Sequence, residues 1–222
     1  MISKKPKAVI FDWDDTIVDS WPIAMKALNA ALVGMGQEAW SDDEARRRCG
    51  GSARDLFHHL FGDRWQEADK IYYDTFVRLA LDNTNIHLHV EDILKFLTKH
   101  KVYLAVVSNK RGHLLRSEAE HLQFNQYFDK IVGAGDAAAD KPDPAPVHMA
   151  LQDSGISADA DVWFVGDSHT DMICASNAGC TAILVETKAP PEEMLVSNPP
   201  ALRFKKHHDF MEFIKVCFSQ SL

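Results

Sequence analysis

Cysteine is scarce: 222 residues contain only four, Cys49, Cys174, Cys180 and Cys217, with no CxxC pair and no Cys-His cluster. A chain of this size needs no disulfide staples, so reduced thiols in a cytoplasmic protein are expected. Positive charge is in deficit, with 24 Lys and Arg against 32 Asp and Glu and a formal net charge of −8. No global positive field exists to hold a nucleic acid or an anionic membrane, so neither is expected as a partner, and an anionic ligand must be held by local cations. Long apolar runs are missing too. The run from Ala8 to Phe11 is cut by Asp12, Asp14 and Asp15, well short of a secretion signal, and nothing approaches the about 18 apolar residues of a membrane span. Internal repeats and low-complexity tracts are absent. With 46% hydrophobic and 25% charged residues the composition is that of a globular chain with enough apolar material for a core.

Short apolar runs rich in Val and Ile are present: Ala8 to Trp13, Val102 to Ser108, Lys130 to Ala134, Val162 to Val165 and Thr181 to Val185. They are continuous rather than alternating, as buried parallel strands are. Between them lie apolar residues at helical spacing, such as Val90, Ile93, Leu94 and Leu97, or Leu114, Leu115, Ala119 and Leu122. Strands alternating with helices predict an α/β fold with a doubly wound parallel sheet. The rhythm breaks once, because the gap between the first two strands far exceeds the dozen or so residues a crossover needs. That interval reads as helical: Asp19 to Val33 with Pro22 in the first turn, a capping-box signature from Ser41 to Glu44, then Leu56, Leu60, Phe61, Ile71, Tyr72, Phe76 and Leu79. The expected organisation is a core of residues 1–16 and 88–222 with a small helical domain, residues 17–87, inserted.

Ligands of open α/β sheets bind beyond the carboxyl ends of the strands. There the sequence places Asp12-Trp13-Asp14-Asp15-Thr16, Ser108-Asn109-Lys110, Lys141 in a Pro-rich loop, and Gly166-Asp167-Ser168-His169-Thr170-Asp171. Clustered carboxylates repel unless a cation joins them, and oxygen-only ligation suits Mg²⁺, so a divalent metal is expected. A carboxylate can attack phosphorus while a neighbouring carboxyl handles the proton, and Ser108 and Lys141 can bind the phosphoryl oxygens.

The run Phe11-Asp12-Trp13-Asp14-Asp15-Thr16-Ile17-Val18-Asp19-Ser20 resembles the opening motif of the haloacid dehalogenase superfamily. Ser108, Lys141 with Pro142 and Pro144, and Gly166 to Asp171 resemble the next three motifs, in order, over about residues 7 to 186. The resemblance implies a Rossmann-like core with a helical cap that closes over the site. It implies Asp12 as nucleophile, Asp14 as general acid/base, and Mg²⁺ held by Asp12, the Asp14 main-chain oxygen and Asp167, with Asp171 joining directly or through water. The expected substrate is a small phosphorylated metabolite. Ser108-Asn109-Lys110 is similar to the triplet of phosphoglycolate-phosphatase-like members. The resemblance also implies Ser108, Asn109, Lys110 and Lys141 as substrate-binding residues, and Arg54 in the insert or Lys110 could hold a substrate carboxylate. Asp15 departs from the Gly common in this family at its position, yet Asp is among the few residues that tolerate a positive φ.

Two rivals stay open at this level. A phosphomutase of the β-phosphoglucomutase kind would use the same residues and pass the phosphoryl group to a sugar. A receiver-type phosphorylation switch shares the ingredients, but it would be shorter and would lack the insert. The paired histidines His58 and His59, His87 and His89, and His207 and His208 read as solvated or packed side chains, because adjacent histidines on a helix point apart and His87 and His89 lie in a linker.

Overall fold

The computed structural model describes residues 5–49, 53–187 and 192–219. The chain divides into two compact units, Met1–Val18 with Ile86–Leu222, and Asp19–Asn85. It runs through β1 (Ala8–Phe11) and β2 (Val18–Asp19) into α1 (Trp21–Gly34), α2 (Asp42–Arg48), α3 (Ala53–Phe61) and α4 (Trp65–Asn83). It returns through β3 (Asn85–Ile86), α5 (Val90–Lys99), β4 (Tyr103–Arg111), α6 (Gly112–His121), β5 (Lys130–Ala134), α7 (Ala145–Leu151), β6 (Val162–Gly166) and α8 (His169–Asn177). It ends with β7 (Thr181–Val185), α9 (Glu192–Leu195), β8 (Leu202–Phe204) and α10 (His207–Ser219).

Six strands form one sheet in the order β5-β4-β1-β6-β7-β8, every neighbouring pair parallel. The fold is the expected α/β type. The chain winds outward from β1 through β4 to β5, then crosses back to β6 and winds the other way. The carboxyl ends of β1, β4 and β6 therefore flank the point where the winding reverses, where a crevice opens in such sheets.

Strand alternation sorts the side chains onto two faces. Val9, Phe11, Leu104, Val106, Trp163 and Val165 pack with Ile93, Leu94 and Leu97 of α5, Leu115 of α6 and Ile214 of α10. Ala8, Ile10, Ala105, Val107 and Phe164 pack with Val147 of α7 and Met172 of α8 on the other face. Both faces are covered, which explains the continuous apolar runs. Each fully buried Leu, Ile or Phe contributes roughly 1.5–3 kcal/mol.

Strand ends differ from the sequence expectation in informative ways. β1 stops at Phe11 rather than Trp13, because the Trp13 carbonyl turns inward to accept the N–H groups of Ile17 at 2.8 Å and Val18 at 3.1 Å. β4 continues past Ser108 to Arg111, with an irregularity between Val107 and Arg111 in its pairing with β5. β8 leaves no apolar run in the sequence, because Arg203 is exposed and Leu202 and Phe204 are only partly buried.

The helical unit has its own core, in which Leu28, Ala31 and Leu32 of α1 meet Trp40, Phe57 of α3 and Ala68 of α4, with Trp21 and Met25 packed at its edge. Tyr72 stands edge-on to Phe57 with ring centroids 5.5 Å apart. Asn29 fixes the loop after α1 by accepting the Trp40 N–H at 2.9 Å and donating to the Trp40 carbonyl at 3.0 Å. At Ser41 the hydroxyl caps α2 by accepting the Glu44 N–H at 3.2 Å. Among the described residues, no helix is long and apolar enough to cross a membrane.

Candidate active site

Asp12 is the first residue beyond β1 and Asp167 the first beyond β6, and parallel pairing of these two strands brings them side by side. Asp171 lies in the first turn of α8, and one carboxylate oxygen from each of Asp12, Asp167 and Asp171 lies within 4.8 Å of the others. Lys141 enters from the loop before α7. Its Nζ donates to Asp12 Oδ1 at 2.6 Å and to Asp171 Oδ1 at 2.7 Å, with all three side chains buried.

Electrostatics follow from this crowding. Burial raises the Asp12 pKa to about 7; Lys141 opposes that shift, while Asp171 and Asp14 add to it. Burial, then the charges of Asp171, Asp12 and Asp15, hold Asp167 well above the usual carboxylate range. Burial disfavours a charged Lys141, yet Asp12 and Asp171 outweigh that and raise its pKa. Three carboxylates are thus clustered, and the Lys141 ammonium binds two of them, Asp12 and Asp171. A buried site of that balance lacks positive charge, and its hard oxygen donors fit a divalent cation such as Mg²⁺.

Asp171 is tied differently from the other two acids. Its Oδ2 accepts the Ser168 N–H at 3.0 Å and the Ser168 hydroxyl at 2.6 Å, and Ser168 Oγ accepts the Asp171 N–H at 3.4 Å, forming a full capping box for α8. Gly166 makes room for it, since a Cβ there would stand 2.4 Å from Asp171 Cγ. Thr16 is fully buried, with Oγ1 3.5 Å from Asp12 Oδ2 and 3.4 Å from Asp167 Oδ1. Its hydroxyl spans the gap between the two acids; the opening motif contains Thr16, but its reach to Asp167, 151 positions on, is visible only in the structure.

Asp15 has φ of 58°, the left-handed region that Asp tolerates better than most residues. The backbone turns here directly after Asp14, with the Asp15 N–H donating to the Val18 carbonyl at 2.7 Å. Asp14 Oδ1 pairs with Lys110 Nζ at 2.8 Å, and its side chain is 32% exposed. Lys110 is itself buried and also donates to Glu118 of α6, whose Oε2 accepts the Trp13 indole N–H at 2.8 Å.

Ser108 is buried at the carboxyl end of β4, with its Oγ accepting the Lys110 N–H at 3.1 Å. Asn109, expected at the substrate, clasps the Lys141 main chain: its Nδ2 donates to the Lys141 carbonyl and its Oδ1 accepts the Lys141 N–H, both at 3.0 Å. The backbone of Arg54 belongs to α3, but its side chain lies outside the described residues, as do Gly50 and Gly51. His87 and His207 stack with centroids 5.2 Å apart, and His207 Nε2 donates to the Thr16 carbonyl at 2.7 Å, a packed arrangement.

A family model described as haloacid dehalogenase-like hydrolase matches residues 9–185. A phosphoglycolate phosphatase of Aquifex aeolicus is 30% identical over 216 residues, which are 93% of this chain and all of that one. A relative from Caldanaerobacter subterraneus subsp. tengcongensis, whose name is that of a pyrophosphatase, is 27% identical over 213 residues, 96% of each chain. The crystal structure of a HAD-superfamily hydrolase from Ehrlichia chaffeensis superposes with a TM-score of 0.66 at 32% identity, covering 97% of this chain and 98% of that one.

Proposed function

This chain belongs to the haloacid dehalogenase-like hydrolase family, and we propose that it is a Mg²⁺-dependent phosphatase of a small phosphorylated metabolite that works through an aspartyl-phosphate. The observation that carries the reading is the buried cluster of Asp12, Asp167 and Asp171, with the Lys141 ammonium bound to Asp12 and Asp171. Asp12 and Asp167, with the Asp14 main-chain oxygen, would hold the metal, and Asp171 stands behind them as the partner of Lys141. Bound there, Mg²⁺ supplies positive charge against the phosphoryl oxygens.

In the first step an Asp12 carboxylate oxygen attacks phosphorus, the bond from phosphorus to the leaving oxygen breaks, and Asp14 gives that oxygen a proton. In the second step Asp14 takes a proton from water, and the water oxygen attacks the phosphorus of the aspartyl-phosphate. Phosphate leaves and the Asp12 carboxylate is restored. Lys141 favours the ionised form of Asp12 and, with Ser108, binds the phosphoryl oxygens as their charge grows. Asn109 holds the Lys141 main chain in register.

Phosphoglycolate is the first substrate to test, because of the Aquifex aeolicus relative and the Ser108-Asn109-Lys110 triplet. Arg54 is the proposed partner of its carboxylate. The four cysteines are free thiols, three of them buried, which suits a cytoplasmic location. A panel of phosphoglycolate, pyrophosphate, a phosphorylated sugar and an aryl phosphate, with Mg²⁺ or with EDTA, tests the reading. Mg²⁺-dependent phosphate release from a monoester supports it. Selective cleavage of pyrophosphate moves the substrate class, isomerisation of the sugar phosphate without phosphate release assigns a mutase, and one equivalent of phosphorylation without turnover assigns a switch.

A further inference from the structure

We infer that Lys110, Glu118 and Trp13 are positioning residues that fix Asp14 for proton transfer, linked as a buried relay from the Trp13 indole through Glu118 and Lys110 to the Asp14 carboxylate. The inference rests on Asp14 being the general acid/base.

The geometry is that of a support. Glu118 Oε2 accepts from both the Trp13 Nε1–H, at 2.8 Å, and the Lys110 ammonium. The ammonium meets Asp14 Oδ1 at 2.8 Å on its other side. Glu118 and Lys110 side chains are 7% and 5% exposed, whereas Asp14 is 32% exposed, so the relay is sealed everywhere except at its catalytic end. The Lys110 ammonium is thereby engaged by two protein carboxylates.

The far end is anchored as firmly. Trp13 is fully buried and lies edge-on to Phe128, with ring centroids 6.4 Å apart, so its indole N–H has a fixed direction. Glu118 lies on the inward face of α6 beside Leu115 and Ala119, where the helical repeat calls for an apolar residue. A carboxylate there costs stability unless paired, and a buried ion pair seldom stabilises a fold more than apolar residues of equal volume. Stability gives no reason for the charges; holding one rotamer of Asp14 does.

The test compares Lys110→Met, Glu118→Leu, Glu118→Gln and Trp13→Phe with Asp14→Asn as the reference. The readout is leaving-group release in single turnover from an alkyl phosphate and from an aryl phosphate with an acidic leaving group, together with KM and thermal melting. Lys110→Met and Glu118→Leu should slow release from the alkyl ester on the order of tenfold and from the aryl ester by less than about threefold, with KM nearly constant. Glu118→Gln should recover most of the rate, because one amide oxygen can still accept both donors. Trp13→Phe should fall in the same direction by a smaller factor.

A rise in KM at constant kcat in Lys110→Met would assign that lysine to substrate and overturn the inference, as would equal losses for both esters together with lowered melting. If Asp14→Asn shows no dependence on the leaving group, the acid/base reading itself falls and takes the support with it. Should Lys110→Met not fold, Trp13→Phe decides: an unchanged alkyl rate there overturns the relay.

Discussion

Asp12 and Lys141, 129 positions apart in the chain, meet at 2.6 Å with both side chains buried. The same ammonium reaches Asp171, so one cation bridges the acid beyond β1 and the acid opening α8. Removing one partner of a buried ion pair leaves an uncompensated charge and typically costs about 3–5 kcal/mol. Lys141→Met should therefore destabilise the metal-free protein by about 3 kcal/mol and reduce turnover on the order of 10²-fold or more. Added Mg²⁺ should return part of the lost melting temperature, since it supplies charge to the same carboxylates. Calorimetry with EDTA and with Mg²⁺ checks this, and an unchanged metal-free melting temperature would contradict the pairing.

Asp167 and Asp171 should respond in opposite ways. Asp167 is held above the usual carboxylate range by burial and by its acidic neighbours, so ionising it without metal works against the fold. Asp167→Asn should weaken Mg²⁺ binding at least about tenfold, yet leave melting in EDTA at pH 8 unchanged or higher. Asp171 is fully buried and bonded to Lys141 and to both the main chain and hydroxyl of Ser168. Asp171→Asn should cost about 2 kcal/mol in EDTA through the lost cap and ion pair. Titration calorimetry and melting of both variants decide. The reverse pattern would exchange their roles.

Much of this site can be read from sequence because each strand advertises its own end. Asp12, Ser108 and Asp167 each follow an apolar run, and a parallel sheet with both faces covered turns such runs into one shared edge. What cannot be read is what depends on distant partners. Glu118 looks like an ordinary surface acid of a helix until α6 turns it toward Trp13 and Lys110. Thr16 and Gly166 lie inside the motifs, but what they do, bridging Asp12 and Asp167 and making room for Asp171, depends on contacts the motifs do not spell out. Asn109 sits beside Ser108 in the motif, and its clasp on the Lys141 main chain joins segments 32 positions apart, which no local pattern shows. β8 escapes notice because two partly buried residues flanking the exposed Arg203 bury too little to leave a signal.

The turn at Asp15 is a local matter with a local test. With φ of 58°, the position penalises any residue whose Cβ crowds the following carbonyl. Asp15→Gly should be close to neutral, whereas Asp15→Val should cost about 1–2 kcal/mol and lower kcat by displacing Asp14. Urea denaturation and steady-state kinetics measure the two effects. Equal stability of the Gly and Val variants would show that the turn relaxes out of the left-handed region.

Acid should weaken the core through His207. Burial lowers its pKa from 6.5 to about 4, against the bond to the Thr16 carbonyl, which favours the charged form, while His87 and His89 lower it further. A folded-state pKa below the unfolded one means that the unfolded chain binds the extra proton first. Stability is then fully present above pH 6.5, falls as pH drops from about 6.5, and stops falling below about 4. By pH 4.5 the group should have removed about 2–3 kcal/mol. His207→Gln keeps a donor for the Thr16 carbonyl and removes the titration, so its stability should lose less between pH 7 and pH 4.5 than that of the parent. Carboxylates titrate in both proteins, so the quantity to follow is the difference between their urea-derived stabilities across that range. A difference that stays constant with pH would mean that His207 titrates with the same pKa in the folded and unfolded states, and that its burial beneath Thr16 does not keep it neutral.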